Sequence, residues 1–230
     1  MYEVIQGKIM KIIAITTIAA AITATSASAD GFYVSGKLGA QTLGHTIERD
    51  TEGFDGLPIP DVGGVSRIEE TDANIGIALG YEQSIGTGSL FWGAEAFYNA
   101  ENAESRNING VLVTDVELEA SYGARVLLGT NVTDKVQLYT HVGATQVDFD
   151  VTNSYTFAPP VTEDSFSETG FSYGVGAAVA LSDTLSVFTE YTEVAGVEFD
   201  GIPEIAGDTG RVNDNTIDLS SLSVGIKYAF

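Results

Sequence analysis

The sequence predicts an all-β fold, an up-and-down antiparallel barrel of eight strands. Three observations predict it. Apolar residues recur with a period of two along most of the chain. The connections between these runs alternate between long and short. The face opposite the apolar one is mostly Gly, Ser and Ala, not the Lys, Glu and Gln of a water-facing surface.

Composition sets the outer bounds. The chain has 230 residues, 44% of them hydrophobic and 18% charged, which fits one all-β domain. Ten basic residues against 32 acidic ones give a formal charge of −22, so a nucleic-acid partner, which needs a basic stripe, is not expected. The absence of Cys excludes disulfides, thiolate metal sites and a lipid-modified cysteine.

Residues 1–29 read as a secretory leader. Lys8 and Lys11 form the basic start, Ile12 to Ile22 is an 11-residue apolar run, and Ala27-Ser28-Ala29 places small residues before Asp30. The run is too short to cross a bilayer, which takes about 20 residues. Met10-Lys11 is the more typical start, so residues 1–9 read as a mis-assigned extension. Residues 30–230 form the barrel domain.

The first strand sets Phe32, Val34, Leu38 and Ala40 against Tyr33, Ser35, Lys37 and Gln41. The second sets Ile75, Ile77, Leu79 and Tyr81 against Asn74, Gly76, Ala78, Gly80 and Glu82. The third sets Trp92, Ala94, Ala96 and Tyr98 against Gly93, Glu95, Phe97 and Asn99. The fourth carries Val116, Leu118, Ala120, Tyr122, Ala124, Val126 and Leu128 on one face, with Glu117, Glu119, Ser121, Gly123 and Arg125 on the other. The fifth alternates Leu138, Val142 and Ala144 with Tyr139, His141 and Gly143. The sixth alternates Phe171, Tyr173, Val175, Ala177 and Val179 with Ser172, Gly174, Gly176 and Ala178. The seventh alternates Leu185, Val187 and Tyr191 with Ser186, Phe188 and Glu190. The eighth alternates Leu222, Val224, Ile226, Tyr228 and Phe230 with Ser223, Gly225, Lys227 and Ala229. Each is expected to run roughly 8–15 residues.

Long links are expected over residues 42–72, 101–113, 148–168 and 194–215, and short turns over 84–89, 131–135 and 182–184. All five prolines fall in the long links, away from ladders that need every N–H. Small residues suit the crowded lumen of an eight-stranded barrel, and long apolar side chains suit lipid. The apolar face is therefore expected to point outward, into a membrane. Aromatics fit two interfacial girdles: Phe32, Tyr81, Trp92, Tyr228 and Phe230 near the short turns, and Tyr98, Phe171, Tyr173 and Tyr191 nearer the long loops.

Several segments carry a family likeness: Ser121-Tyr122-Gly123-Ala124-Arg125, Val136 to Gly143, Gly170 to Gly176, Glu190-Tyr191, and the terminus Leu222-x-Val224-x-Ile226-x-Tyr228-x-Phe230. With these, the chain resembles the small eight-stranded outer-membrane barrels related to the transmembrane domain of outer membrane protein A and to the opacity proteins. The resemblance implies a Gram-negative outer-membrane protein of the porin family, with long extracellular loops and short periplasmic turns. It implies that the final strand is read by the barrel-assembly machinery. It also implies contact with outer-membrane lipid and lipopolysaccharide, and loops free to meet a host or surface ligand. The chain departs from outer membrane protein A in that nothing follows Phe230, so a cell-wall tether is not expected.

The inward charged set is Lys37, Glu82, Glu95, Glu117, Glu119, Arg125, His141, Glu190 and Lys227. Counted from the short turns, Lys37, Glu95, Arg125, His141 and Glu190 fall at a similar height. Unpaired buried charge is expensive, so they are expected to form a hydrogen-bonded plug. The same layer would act as a gate if its ion pairs could exchange.

No catalytic residue, cofactor or metal is expected. A lipid-modifying enzyme needs a His with Ser and acid partners at the loop end. Of the two His, His45 lies in the first long link and His141 in the lumen layer. Asp148-x-Asp150 opens like a calcium loop, but Asn153 and Pro159 stand where Gly and Glu are required. The long links hold most of the acidic residues and only four basic ones, Arg49, Arg67, Arg106 and Arg211. That reads as a solvated rim, with cation bridging to lipid phosphates and adhesion as sharper readings. The expected function is a structural or surface-interaction role in the envelope, with a narrow gated pore, a solute channel and a lipid-modifying enzyme as alternatives. N-terminal sequencing of the exported protein is expected to begin at Asp30; a start within the Ile12–Ile22 run would contradict the leader reading.

Overall fold

The computed structural model describes residues 30–49, 64–109, 112–155, 160–200 and 213–230. The expected leader and the side chain of His45 lie outside the described residues. The strands are β1 (Gly31–Arg49), β2 (Gly64–Ser84), β3 (Leu90–Ala100), β4 (Glu104–Asn109), β5 (Leu112–Asn131), β6 (Val136–Tyr155), β7 (Pro160–Ala180), β8 (Leu185–Asp200) and β9 (Asn213–Ala229). Every pairing is antiparallel, and the pairs β1–β9 and β3–β5 close the ring. β3 and β4 both pair with β5, one above the other, so nine segments form eight staves. Glu101 N donates to Glu119 O at 3.0 Å and Leu118 N to Ala103 O at 2.8 Å, which carries that ladder across the break.

Closure follows from the solvent. A backbone N–H or C=O exposed to hydrocarbon costs several kcal/mol, so no edge can face lipid. The last link is Phe230 N, which donates to Phe32 O at 3.0 Å. The short turns are tied locally: Thr133 Oγ1 accepts from the N–H groups of Lys135 and Val136, and Ser182 Oγ from those of Thr184 and Leu185. Gly86 holds φ at 66° in the turn after β2, where a side chain would be strained.

The outward apolar series is nine residues tall on several strands: Phe32 to Ala40, Ala73 to Tyr81, Trp92 to Ala100 and Phe171 to Val179. A tilted strand crosses hydrocarbon in about 9–11 residues. Yet β1 has 19 residues, β2 and β7 have 21, and β5 and β6 have 20. Roughly half of each stave, at ~3.3 Å per residue, therefore stands beyond the membrane. Much of what reads in the sequence as long links is strand. Pro160, expected in a loop, opens β7, the first-residue position a ladder tolerates.

Above the membrane the polarity inverts. On the outside Ala144 gives way to Gln146, Asp148 and Asp150 on β6, and Phe171 to Thr169 and Ser167 on β7. On the inside Leu43, Val116, Leu118, Val147, Phe149, Val151, Val194, Val197, Ile217 and Leu219 pack into one buried cluster with Ala103. Phe166, opposite Phe149 in the β6–β7 ladder, stacks on that ring with centroids 5.6 Å apart. On β5 and β8 the inversion coincides with bulges. The β5–β6 register shifts between Leu118 and Ala120, so Val116 and Leu118 turn inward and Glu117 outward. The β8–β9 register shifts between Val194 and Val197, where Gly196 adopts φ 76°. The fourth predicted strand is therefore corrected: its face does not run unbroken from Leu128 to Val116.

Inside the membrane, large inward side chains lie over glycines directly opposite in register. Tyr33 lies over Gly80, Tyr139 over Gly176, His141 over Gly174, Phe91 over Gly129 and Phe188 over Gly225. Each missing Cβ clears the ring, which is why the lumen face looks both glycine-rich and aromatic. Gly80→Ala is expected to overpack Tyr33 and cost about 1–3 kcal/mol, seen as a lower temperature at which the folded gel band converts to the unfolded one. Tyr33→Ala in the same chain is expected to recover part of that loss. A Gly80→Ala chain as stable as wild type would contradict the packing.

Candidate functional site

The lumen is filled in tiers, each built from inward positions of several strands. Nearest the short turns, Lys227 Nζ donates to both oxygens of Glu82, at 2.9 and 3.0 Å, and to Gln137 Oε1 at 3.3 Å. The same ammonium sits 5.1 Å from the centre of the Tyr33 ring. Neither Glu82 nor Lys227 belongs to the layer read from the sequence, yet they form a pair of their own below it.

The next tier gathers Lys37, Glu95, Arg125, His141 and Glu190, from β1, β3, β5, β6 and β8. Arg125 is its centre. Nε donates to Glu95 Oε1 at 2.7 Å, and the two terminal nitrogens grip Glu190 Oε1 and Oε2 at 2.9 and 3.0 Å. Glu95 and Arg125 are direct partners in the β3–β5 ladder, so the register itself delivers the contact. Tyr33 OH donates to Glu95 Oε2 at 2.8 Å and Tyr139 OH to Glu190 Oε2 at 3.1 Å. Lys37 Nζ lies 3.5 Å from Glu190 Oε1. His141 Nε2 lies 3.3 Å from both an Arg125 nitrogen and Thr192 Oγ1. The Arg125 guanidinium also sits 5.4 Å from the centre of the Phe97 ring. Two cations thus meet two carboxylates, with tyrosine hydroxyls filling remaining acceptor sites. Glu190 and His141 are each only 1% exposed.

A third tier is neutral apart from one acid. Asn74 Nδ2 donates to Gln41 Oε1 at 3.0 Å, Asn99 Nδ2 to Ser121 Oγ at 2.9 Å, and Ser121 Oγ to Glu101 Oε1 at 2.6 Å. Turning the Gln41 amide over lets it donate to Glu101 in place of accepting from Asn74. Glu101 falls in an expected long link, so sequence reading misses it. The signal was present: Glu95, Phe97, Asn99 and Glu101 continue the same inward parity. The apolar cluster closes the lumen above this tier.

Other expectations sort by position. Glu117, expected in the lumen, is exposed on the outer wall because of the bulge, and Glu119 sits at the bulge itself. Phe32 packs on Tyr81 at 5.1 Å, Tyr81 on Trp92 at 6.1 Å and Tyr228 on Phe230 at 5.4 Å, near the short turns. Toward the other end Tyr98 stacks on Tyr122 at 6.3 Å and Phe171 on Tyr173 at 6.0 Å, and Tyr191 is exposed at a similar level. Tyr122 is the member of this level that the sequence reading leaves unassigned. Leu222, Val224, Ile226 and Tyr228 are exposed along the last strand.

Outside the membrane-spanning segments, contacts shift two titratable groups. Asp30 Oδ1 accepts from Ser84 Oγ at 2.7 Å and Ser84 N at 2.6 Å, and these bonds hold its carboxyl below the usual carboxylate range. Arg106 donates to both oxygens of Asp115, at 2.6 and 3.0 Å, which holds the guanidinium above its usual value. Among the described residues no three acidic or histidine side chains converge as metal ligands. His141 is buried within the second tier.

The family match agrees with the barrel fold. The chain matches the family described as outer membrane protein beta-barrel domain over residues 12–230. It is similar to the outer membrane protein OprG from Pseudomonas aeruginosa, at 11% identity and a TM-score of 0.50, covering 90% of this chain and 99% of that one. It is also similar to Neisserial surface protein A, at 14% identity and a TM-score of 0.44, over 87% of this chain and 97% of that one. A third similar structure is Ail, the attachment invasion locus protein of Yersinia pestis, in complex with the heparin analogue sucrose octasulfate. It has 15% identity and a TM-score of 0.39, over 85% of this chain and 99% of that one. No curated protein matches the chain. The chain belongs to the outer membrane protein beta-barrel domain family and is a protein of the outer membrane.

Proposed function

We propose that this protein is a closed, non-conducting barrel whose role is structural and surface-directed. It anchors a strand-built, acidic extension outside the cell. The observation that carries this reading is the pair of stacked seals in the lumen: an ion-pair tier centred on Arg125 and an apolar tier centred on Leu118 and Phe149. The two seals differ in chemistry. Exchanging ion pairs would loosen the first and leave the second intact, so a salt-bridge gate alone does not make a pore. An enzymatic role finds no support in His141, which is committed to Arg125 and Thr192. Lipid and lipopolysaccharide would meet the apolar band and its aromatic girdles, and the assembly machinery would read the strand from Leu222 to Phe230.

Planar-bilayer recording tests this. Wild-type protein is expected to give no current steps. Arg125→Ala leaves Glu95 buried without its cation and Glu190 with Lys37 alone, at a cost of about 3–5 kcal/mol. It should therefore unfold at lower temperature on gels and still not conduct. Arg125→Ala combined with Leu118→Ser and Phe149→Ser is expected to conduct. Steps from wild type, or from Arg125→Ala alone, would overturn the closed-barrel reading in favour of a channel or a gate.

A further inference from the structure

The lipid-facing wall is not smooth. A groove of about 700 Å³ runs across it from β3 to β9. Its path follows one row of the ladders. Leu90 pairs with Thr130, Thr130 with Leu138, Leu138 with Ala177 and Ala177 with Thr189. Leu90 opens β3, Thr130 is second from the end of β5, Leu138 third in β6, Ala177 fourth from the end of β7 and Thr189 fifth in β8. The row thus climbs one residue per stave, about 3.3 Å along the strand each time. It starts at the short turns and rises obliquely into the hydrocarbon band.

Side-chain size and chemistry shape the groove. Thr140, Ala177 and Thr189 form a low floor, and Leu128, Leu138, Val175, Tyr191 and Leu222 stand exposed around them. Thr140 Oγ1 donates to Gly174 O at 2.9 Å and Thr189 Oγ1 to Ser223 O at 3.1 Å, so the floor offers no free hydroxyl proton. A floor of this kind favours hydrocarbon over a polar ligand. The lower mouth is different. There Thr130 Oγ1 donates to the exposed Ser89 Oγ at 3.1 Å. The turn after β5 carries Asp134 and Lys135 side by side, both exposed. Ala180 N donates to Lys135 O at 2.8 Å, which fixes this turn beside the end of β7, just below Leu138 and Ala177.

We propose that the groove holds one acyl chain of a zwitterionic phospholipid from the leaflet on the short-turn side. The chain lies along the row from Thr130 to Thr189. Its head group rests at the turn, phosphate toward Lys135 and ammonium toward Asp134. The occupant follows from where the groove lies: the protein belongs to the outer membrane, and hydrocarbon wets this wall. An anionic head group would meet Asp134 and, on another short turn, Asp183, which repel it. A phosphate entering from the loop side would meet Glu193, whose Oε2 lies 3.5 Å from Tyr191 OH at the upper end. The site needs only the lipid-facing wall and is independent of whether the lumen conducts.

The test uses the full-length chain, extracted folded from its membrane in mild detergent, and native mass spectrometry that identifies what stays bound. Wild type should retain one phosphatidylethanolamine. Ala177→Trp fills the floor and should lose it. Ala96→Trp, outward on β3 and outside the groove, should keep it. Lys135→Gln should retain less. Each variant is checked for an unchanged gel shift, and Ala177→Leu replaces Ala177→Trp if the larger ring prevents folding. A second measurement needs no variant. Phosphatidylethanolamine with a diazirine in its acyl chain should crosslink to Leu138 and Ala177 ahead of Leu38 and Ile77, which face lipid elsewhere. Wild type without bound lipid, or retention unchanged by Ala177→Trp or by Lys135→Gln, would overturn the proposal. So would equal loss from Ala96→Trp, or crosslinks spread evenly over the wall. Phosphatidylglycerol, lipopolysaccharide or a second copy of this chain found in place of phosphatidylethanolamine would overturn it too. Bilayer conductance of the same samples reads the closed-barrel function independently, so failure of one does not imply failure of the other.

Discussion

The structure depends on one constraint: in hydrocarbon, no water is available to bond a free peptide group. Everything between the two aromatic levels obeys it. β1 must find β9, β3 must find β5, and Phe230 must reach Phe32, because an open edge would cost several kcal/mol per unpaired group. The constraint also explains what is absent from the wall at that depth. The outward threonines Thr140 and Thr189 return their hydroxyls to the carbonyls of Gly174 and Ser223, so they present no unsatisfied donor to lipid. Once the staves leave the membrane, water can bond a free edge, and there, among the described residues, no ladder joins β2 to β4.

The same change of solvent turns the barrel inside out along its axis. In the membrane the lumen holds the polar groups and the outside is apolar. In water the lumen holds Leu118, Phe149 and Ile217, and the outside carries Asp148, Asp150 and Glu117. On β6 the switch needs no backbone adjustment, since side chains of opposite character simply exchange faces between Ala144 and Gln146. On β5 and β8 it coincides with bulges that add a residue, and the bulge on β8 uses Gly196. The result is a membrane barrel continuous with a small water-soluble barrel. Each half supplies the other with a lid for its lumen.

The membrane half is legible in the sequence because outward apolar residues and inward glycines alternate without interruption there. The pattern also carries the register: Tyr139 lies opposite Gly176 and His141 opposite Gly174, each bulky residue answered by an absent Cβ. It brings Arg125 opposite Glu95, so the centre of the charged tier can be read from strand positions alone. The water half is hidden for a physical reason. Val116, Leu118, Ala120 and Tyr122 alternate perfectly, and a one-residue phase shift at Glu119 leaves no mark when both sides of it are apolar. Val147, Phe149 and Val151 also alternate, but the acids between them resemble a solvated loop until one knows that the apolar face has moved inside. Glu117 is misplaced by this ambiguity, whereas Glu101 is missed because the expected link begins at residue 101, one inward position too early.

The central claim is that the medium around the wall changes from lipid to water at one height while the chain continues unbroken through it. Because the protein has no Cys, single nitroxide labels can be walked along β6 in lipid bilayers and their exposure to oxygen and to a water-soluble nickel chelate compared. Labels at Leu138, Thr140, Val142 and Ala144 are expected to meet oxygen, and labels at Gln146, Asp148 and Asp150 the chelate, while Val147 and Phe149 are shielded from both. Lipid exposure at Asp148 and Asp150, or chelate reaching Phe149, would contradict the account.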